Sequence, residues 1–120
     1  MAEGILKMMS DQTYTAILDT INHPIVFVDN DHVIRFLNKA AIEHYYGLRG
    51  YSDLIGKSLL DCHNQKSKEQ IIAYHDRLKA GEDEIVRPIV PKRKKKITVV
   101  AVRDSSGVLL GYYERFEQIT

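Results

Sequence analysis

A chain of 120 residues with 44% hydrophobic content has the length and apolar mass for one compact domain around one core. Seventeen Lys and Arg against sixteen Asp and Glu leave a formal charge of +1, which argues against bulk electrostatic binding to nucleic acid or a membrane surface. The single cysteine, Cys62, excludes an intrachain disulfide and fits a reducing, cytoplasmic location. No apolar run approaches the ~20 residues of a membrane span, and the first residues, with Glu3 and no long apolar core, do not read as a signal peptide.

In chain order, Ser10 is a candidate cap for a helix over Asp11 to Ile21, with Tyr14, Ile17, Leu18 and Ile21 on one face and Leu6 and Met9 extending it. Residues 1–22 thus form an N-terminal helix that either lies on its own domain or, because a short amphipathic helix outside a core needs a partner for its apolar stripe, serves as a dimerisation element. Asn22-His23-Pro24 breaks it. Ile25 to Val28 is a buried strand, Asp29 to Asp31 an Asx-type turn and His32 to Leu37 the returning strand. Asn38 caps a second helix carrying Ala41, Ile42, Tyr45 and Tyr46, and Gly47 ends it in the left-handed conformation. A loop follows with a helical turn at Ser52 to Ile55, and then a segment holding Cys62-His63. Ser67 and Gln70, at capping-box spacing, open a third helix that Gly81 closes, with Ile71, Tyr74, His75 and Leu78 as its stripe. Ile85 to Val90 is an edge or bulged strand because of Pro88. Lys92 to Lys96 is a basic turn, Ile97 to Arg103 a strand, Asp104 to Gly107 a hairpin turn and Val108 to Glu117 the last strand. Two hairpins around a helical block give an α+β fold: a five-stranded antiparallel sheet with helices on one face, the first strand beside the last.

The order and spacing of several segments carry a family resemblance. PIVFVD at 24–29, NKAA at 38–41, Gly47, DLIGKSLLDC at 53–62 and AVRDSSGVLLGYYERFEQIT at 101–120 together resemble a PAS domain from Ile17 to Thr120. Gln118 stands where many PAS domains have the aspartate of a closing Asp-Ile-Thr. The Cys-His-x-x-Lys-Ser segment, Cys62 to Ser67, is similar to a bacterial and archaeal subgroup. The resemblance implies a PAS domain over 23–120 and a pocket between sheet and central helices. It also implies dimerisation through the N-terminal helix or the sheet, with output to a kinase or regulator outside this chain; the chain is then a lone PAS protein or a fragment of a larger sensor.

The residues that could line such a pocket are Tyr45, Tyr46, Cys62, His63, Ile71, Tyr74 and His75. Adjacent Cys62 and His63 do not make a zinc site, since no second Cys-x-x-Cys or His-x-x-x-His exists. They read first as a small thiol beside a histidine that caps or bonds the next helix, and second as pocket wall. In heme-binding PAS domains the axial histidine comes from the helix that carries His75. It usually falls about three turns before the loop glycine, where this chain has Glu69-Gln70-Ile71. A core histidine bonded to a backbone carbonyl is therefore preferred to a heme ligand. The flavin-binding Gly-x-Asn-Cys-Arg-Phe-Leu-Gln motif is missing, since His-Asn-Gln-Lys follows Cys62. The cofactor is thus undetermined, with heme second-ranked and flavin below it. Arg103 and Glu114 read as a cross-strand pair, and the Lys92–Lys96 run as a solvated turn. No nucleophile elbow, phosphate loop or HExxH is present, so no enzyme is expected. The expectation is a cytoplasmic, homodimeric sensory module with a small-molecule ligand and no nucleic-acid or membrane partner. The alternatives are an interaction module with a filled core and, behind it, a heme-based gas or redox sensor.

Overall fold

The computed structural model describes residues 2–89, 92 and 94–118, with side chains from residue 11 onward except that of Cys62. Five strands form one antiparallel sheet in the order β2-β1-β5-β4-β3: β1 (Val26–Asp29), β2 (Ile34–Leu37), β3 (Glu84–Val86), β4 (Lys95–Arg103) and β5 (Leu109–Gln118). The first strand lies beside the last, which joins the two hairpins into a continuous α+β sheet as the sequence pattern implies. Helices α1 (Ala2–Asp19), α2 (Lys39–Ile42) and α3 (Gln65–Lys79) complete the domain. Between α2 and α3 lie a π-helical turn, Glu43–Leu48, and a 3-10 turn, Leu59–Cys62.

Strand alternation sets the core. Val28, Ile34, Leu37, Ile85, Val99 and Tyr112 turn toward the helical side and bury against Ala41, Leu54 and Leu78. The β1–β2 turn is held by Asp29, whose Oδ1 accepts from the Asp31 and Val33 backbone N–H groups at 2.9 and 3.0 Å. Burial alone would raise the Asp29 pKa, but the Arg35 guanidinium and these two N–H groups bring it below the ordinary carboxylate value. The outer edge of β2 is closed by the segment before the 3-10 turn: Ile34 N–H donates to Lys57 O and Leu59 N–H to His32 O, at 2.9 and 2.7 Å.

Asn38 locks three segments at one point. It is fully buried, and its Oδ1 accepts from Ile25 N–H and Ala41 N–H, each at 2.9 Å. Its Nδ2 faces the carbonyls of Leu18, His23 and Ile21 at 3.1, 3.2 and 3.4 Å. The expected N-cap of α2 is therefore also the clamp that ties α1 and β1 to the domain. At the other end of the sheet, Arg103 on β4 donates to Leu78 O and Glu82 O at 2.7 and 3.1 Å and pairs with Asp83 at 2.9 Å. A cation on the last carbonyls of α3 satisfies groups that a helix end leaves open.

Several local expectations change. Helix α1 begins at Ala2, not Ser10, because Ala, Leu, Met and Lys sustain a helix before any cap is needed; the side chains of Leu6 and Met9 lie outside the described residues. Helix α3 opens two residues before Ser67: Asn64 is the cap, and its Oδ1 accepts from Ser67 N–H at 2.9 Å. Gly47 does not terminate its helix by a left-handed turn; the chain widens into the π-turn and turns at Gly50, whose φ is 74°. Ser52 to Ile55 is not helical. Strand β3 stops at Val86, ahead of Pro88, while Val90, Arg93 and the final Ile119-Thr120 lie outside the described residues. Gly81, with φ 119°, does close α3 as expected. Arg103 and Glu114 do not pair, because β4–β5 register sets Arg103 against Leu109 and Glu114 against Val99.

Candidate functional site

A cavity of about 320 Å³ lies between the sheet and the segment that joins α2 to α3. That volume is at the small end of ligand sites, which run ~300–1,000 Å³. Its floor is built by alternation: Val26 and Val28 of β1, Ile34 of β2, and Tyr112, Glu114 and Phe116 of β5 at every second position, with Tyr113 also reaching the lining. Its opposite wall is irregular backbone, with Tyr45 and Arg49 from the π-turn and its exit, Tyr51 and Leu54 from the loop, Leu59 from the 3-10 turn and His63 just after it. The π-turn explains that wall. Arg49 N–H bonds back to His44 O at 3.1 Å and Tyr51 N–H to Tyr45 O at 2.9 Å. The wider coil moves Tyr45, Arg49 and Tyr51 to one side, and such bulges recur at functional positions.

The polar groups of the lining are few and mostly committed. Glu114 takes the Arg87 guanidinium at 3.2 and 3.5 Å, and that guanidinium stands 6.0 Å over the Tyr74 ring. Burial, and then the Glu114 charge, push the Tyr45 hydroxyl pKa up; the same two causes raise that of Tyr112 further. Both phenols are neutral hydrogen-bonding groups at ordinary pH. His63 Nδ1 lies 2.8 Å from Leu59 O, so Nδ1 carries the proton and Nε2 of the neutral ring is an acceptor. The ring bonds back to its own 3-10 turn and not to the next helix. Arg49 has its guanidinium 5.4 Å over the Tyr51 ring.

Of the residues singled out from sequence, Tyr45 and His63 line this cavity. Tyr46 serves the wall from behind: its hydroxyl accepts from Leu54 N–H at 3.1 Å. Ile71 and Tyr74 are half-buried against the core, outside the lining. The Cys62 side chain lies outside the described residues. His75 is buried at the end of the sheet, its Nε2 3.0 Å from Asn30 Oδ1 and its ring 4.8 Å from that of His32. The partner is thus a side-chain amide, not the expected backbone carbonyl. Because Asn30 Nδ2 donates to Leu109 O at 2.7 Å, its Oδ1 must face His75, so Nε2 carries the proton. That nitrogen is therefore not available as an axial ligand, and the histidine of α3 does not fit a heme in this cavity. No cluster of three metal-ligating side chains occurs among the described residues.

Sequence reasoning missed the sheet half of the lining. The signal was there: Tyr112, Glu114 and Phe116 recur at period two, and an acid between two aromatics on one strand face marks a polar contact inside an apolar layer. Arg49 and Tyr51 carried no such signal, since their placement follows from the π-turn.

One antiparallel sheet, helices on one of its faces and a cavity between them define the fold class. The sequence profile of the PAS domain family matches residues 15–120, and the chain belongs to that family. Among solved structures it is similar to a C-terminal domain from Streptococcus mutans, with 22% identity, a TM-score of 0.72, and 89% of this chain and 83% of that one covered. It is similar to the PAS domain of BvgS from Bordetella pertussis, with 16% identity, a TM-score of 0.64, and 92% and 87% covered. A sensory box sensor histidine kinase from Vibrio cholerae aligns with 15% identity, a TM-score of 0.61, and 98% and 97% covered. No curated protein sequence matches the chain. Among the described residues no helix is long and apolar enough to cross a membrane.

Proposed function

We propose that this PAS domain is a sensory module that takes a small molecule into the cavity between β5 and the π-turn. The observation that carries this reading is the cavity itself, about 320 Å³ with an aliphatic and aromatic floor and a polar rim. A core filled by its own side chains, as a purely structural interaction module requires, leaves no such space. Sensing follows from differential binding: a guest touching both Tyr112 on the sheet and Tyr45 on the π-turn stabilises the arrangement that holds them together. Strand β5 runs from that contact to the end of the sheet and is the natural carrier of the change.

The same reading makes the module a cytoplasmic homodimer that reports to a kinase or regulator outside this chain. It performs no catalysis and has neither nucleic acid nor membrane as a partner. Tyr14 and Ile17 on α1, 62% and 55% exposed, support the dimer, since they form an apolar face that the described residues leave open. The Cys-His-x-x-Lys-Ser segment, with His63 on the cavity wall, supports the subgroup of bacterial and archaeal PAS domains that shares it.

Native mass spectrometry of the protein as purified, beside a Leu59→Trp variant that fills the cavity from the 3-10 turn, tests this. A guest mass on the wild type that the variant lacks is the expected outcome, with a dimer in both. A guest retained by the variant, or a wild type that carries none and gains no thermal stability from any small molecule offered, overturns the cavity reading.

A further inference from the structure

We infer that the guest of this cavity is a small monocarboxylic acid with an apolar or aromatic body, its carboxylate held by Arg49 and the body lying on the Tyr45–Tyr112 side. The inference rests on the cavity reading and goes on from the charges around it. Glu114 is the acid of the lining, and Arg87 already neutralises it at 3.2 Å. Arg49 is the remaining full charge. Its guanidinium stands 5.4 Å over the Tyr51 ring, which offers no anion to neutralise it. A planar fork of N–H donors matches one carboxylate bidentately. A phosphate would bring a second charge, and no second uncommitted cation lines the cavity among the described residues. His63 has its Nδ1 on Leu59 O, so it can meet a guest only through Nε2. The Arg49 charge also acts on the cavity interior, since it opposes the upward push on the Tyr45 hydroxyl.

Three probes separate the parts of this claim: toluene, phenylacetamide and phenylacetate, titrated at pH 7.5 and low salt, followed by ligand-observed NMR and thermal unfolding. Toluene reports the apolar cavity alone. Phenylacetate and phenylacetamide have the same shape and differ in charge. Phenylacetate is expected to bind at least tenfold more tightly than phenylacetamide. Arg49→Met is expected to abolish that difference while toluene still binds, and Arg49→Lys to keep part of it. Arg49 is exposed, so the variants should fold, and their unfolding midpoints check this. Equal binding of acid and amide, or a preference that survives Arg49→Met, overturns the carboxylate assignment while toluene binding leaves the cavity reading intact. Binding of none of the three removes both.

Discussion

Gly111 stands where β5 meets β1, and a Cβ there would lie 2.1 Å from Val28 O and 2.9 Å from the Asp29 Cα. Both are backbone atoms of the neighbouring strand, so no rotamer change relieves the clash. Gly111→Ala is expected to cost roughly 3 kcal/mol or more by forcing the strands apart; a urea midpoint within error of wild type would sink the claim. Asn38 makes a second residue-scale case. Removing its side chain strands two buried N–H groups and withdraws a donor from the carbonyls of Leu18 and His23, each unmet group costing about 1–3 kcal/mol. Asn38→Ala should therefore destabilise strongly. Asn38→Asp should fail to rescue, because it restores the acceptor while setting a carboxylate against carbonyl oxygens. Full recovery by Asp in chemical denaturation would reduce the residue to a simple cap.

At the scale of elements, β4 carries an internal fault. Thr98 is fully buried, and its Oγ1 has no hydrogen-bond partner. Valine has the same shape without the stranded hydroxyl, so Thr98→Val is expected to raise stability by about 1 kcal/mol, or a few degrees in Tm. A lower Tm would mean that a bound water satisfies the hydroxyl. The elements also mark where local sequence signals hold. Asn38, the Asp29 turn and the Asp104–Gly107 hairpin were legible because each is written in side-chain-to-backbone bonds a few residues apart. The start of α3 was misplaced because Asn64, Ser67 and Gln70 all offer capping chemistry, and the choice among them is made by packing. The π-turn had no local signature. Glu43–Leu48 reads as ordinary helix, and its widening shows in the structure, as in the bonds from Arg49 to His44 and from Tyr51 to Tyr45.

For the whole molecule, what joins cavity to sheet end is Tyr112, and its pairing with His32, 80 positions away, could not be read from local sequence. The Tyr112 hydroxyl lies 2.8 Å from His32 Nδ1, the His32 ring is edge-on to His75, and His75 holds Asn30. A φ of 64° at His32 aims its ring inward. Burial lowers the pKa of both histidines; His32 adds to this at His75 and Lys79 at both, while Asp31 and Asp76 oppose it in part at both and Asp29 at His32. The unfolded chain, with histidines near 6.5, therefore binds more protons than the folded one between the lowered values and pH 6.5. Stability is fully present above that window and is lost as pH falls through it, at up to about 1.4 kcal/mol per pH unit for each proton. Urea midpoints at intervals from pH 8 to pH 5 should fall on acidification beginning near pH 6.5. His75→Gln should flatten that fall by about one proton, though it lowers the midpoint at pH 8 by loosening the bond to Asn30. An unchanged slope in the variant would assign the acid sensitivity to other groups. If the slope halves, repeating the series with phenylacetate bound asks whether a filled cavity, through Tyr112, holds the neutral histidine pair to lower pH.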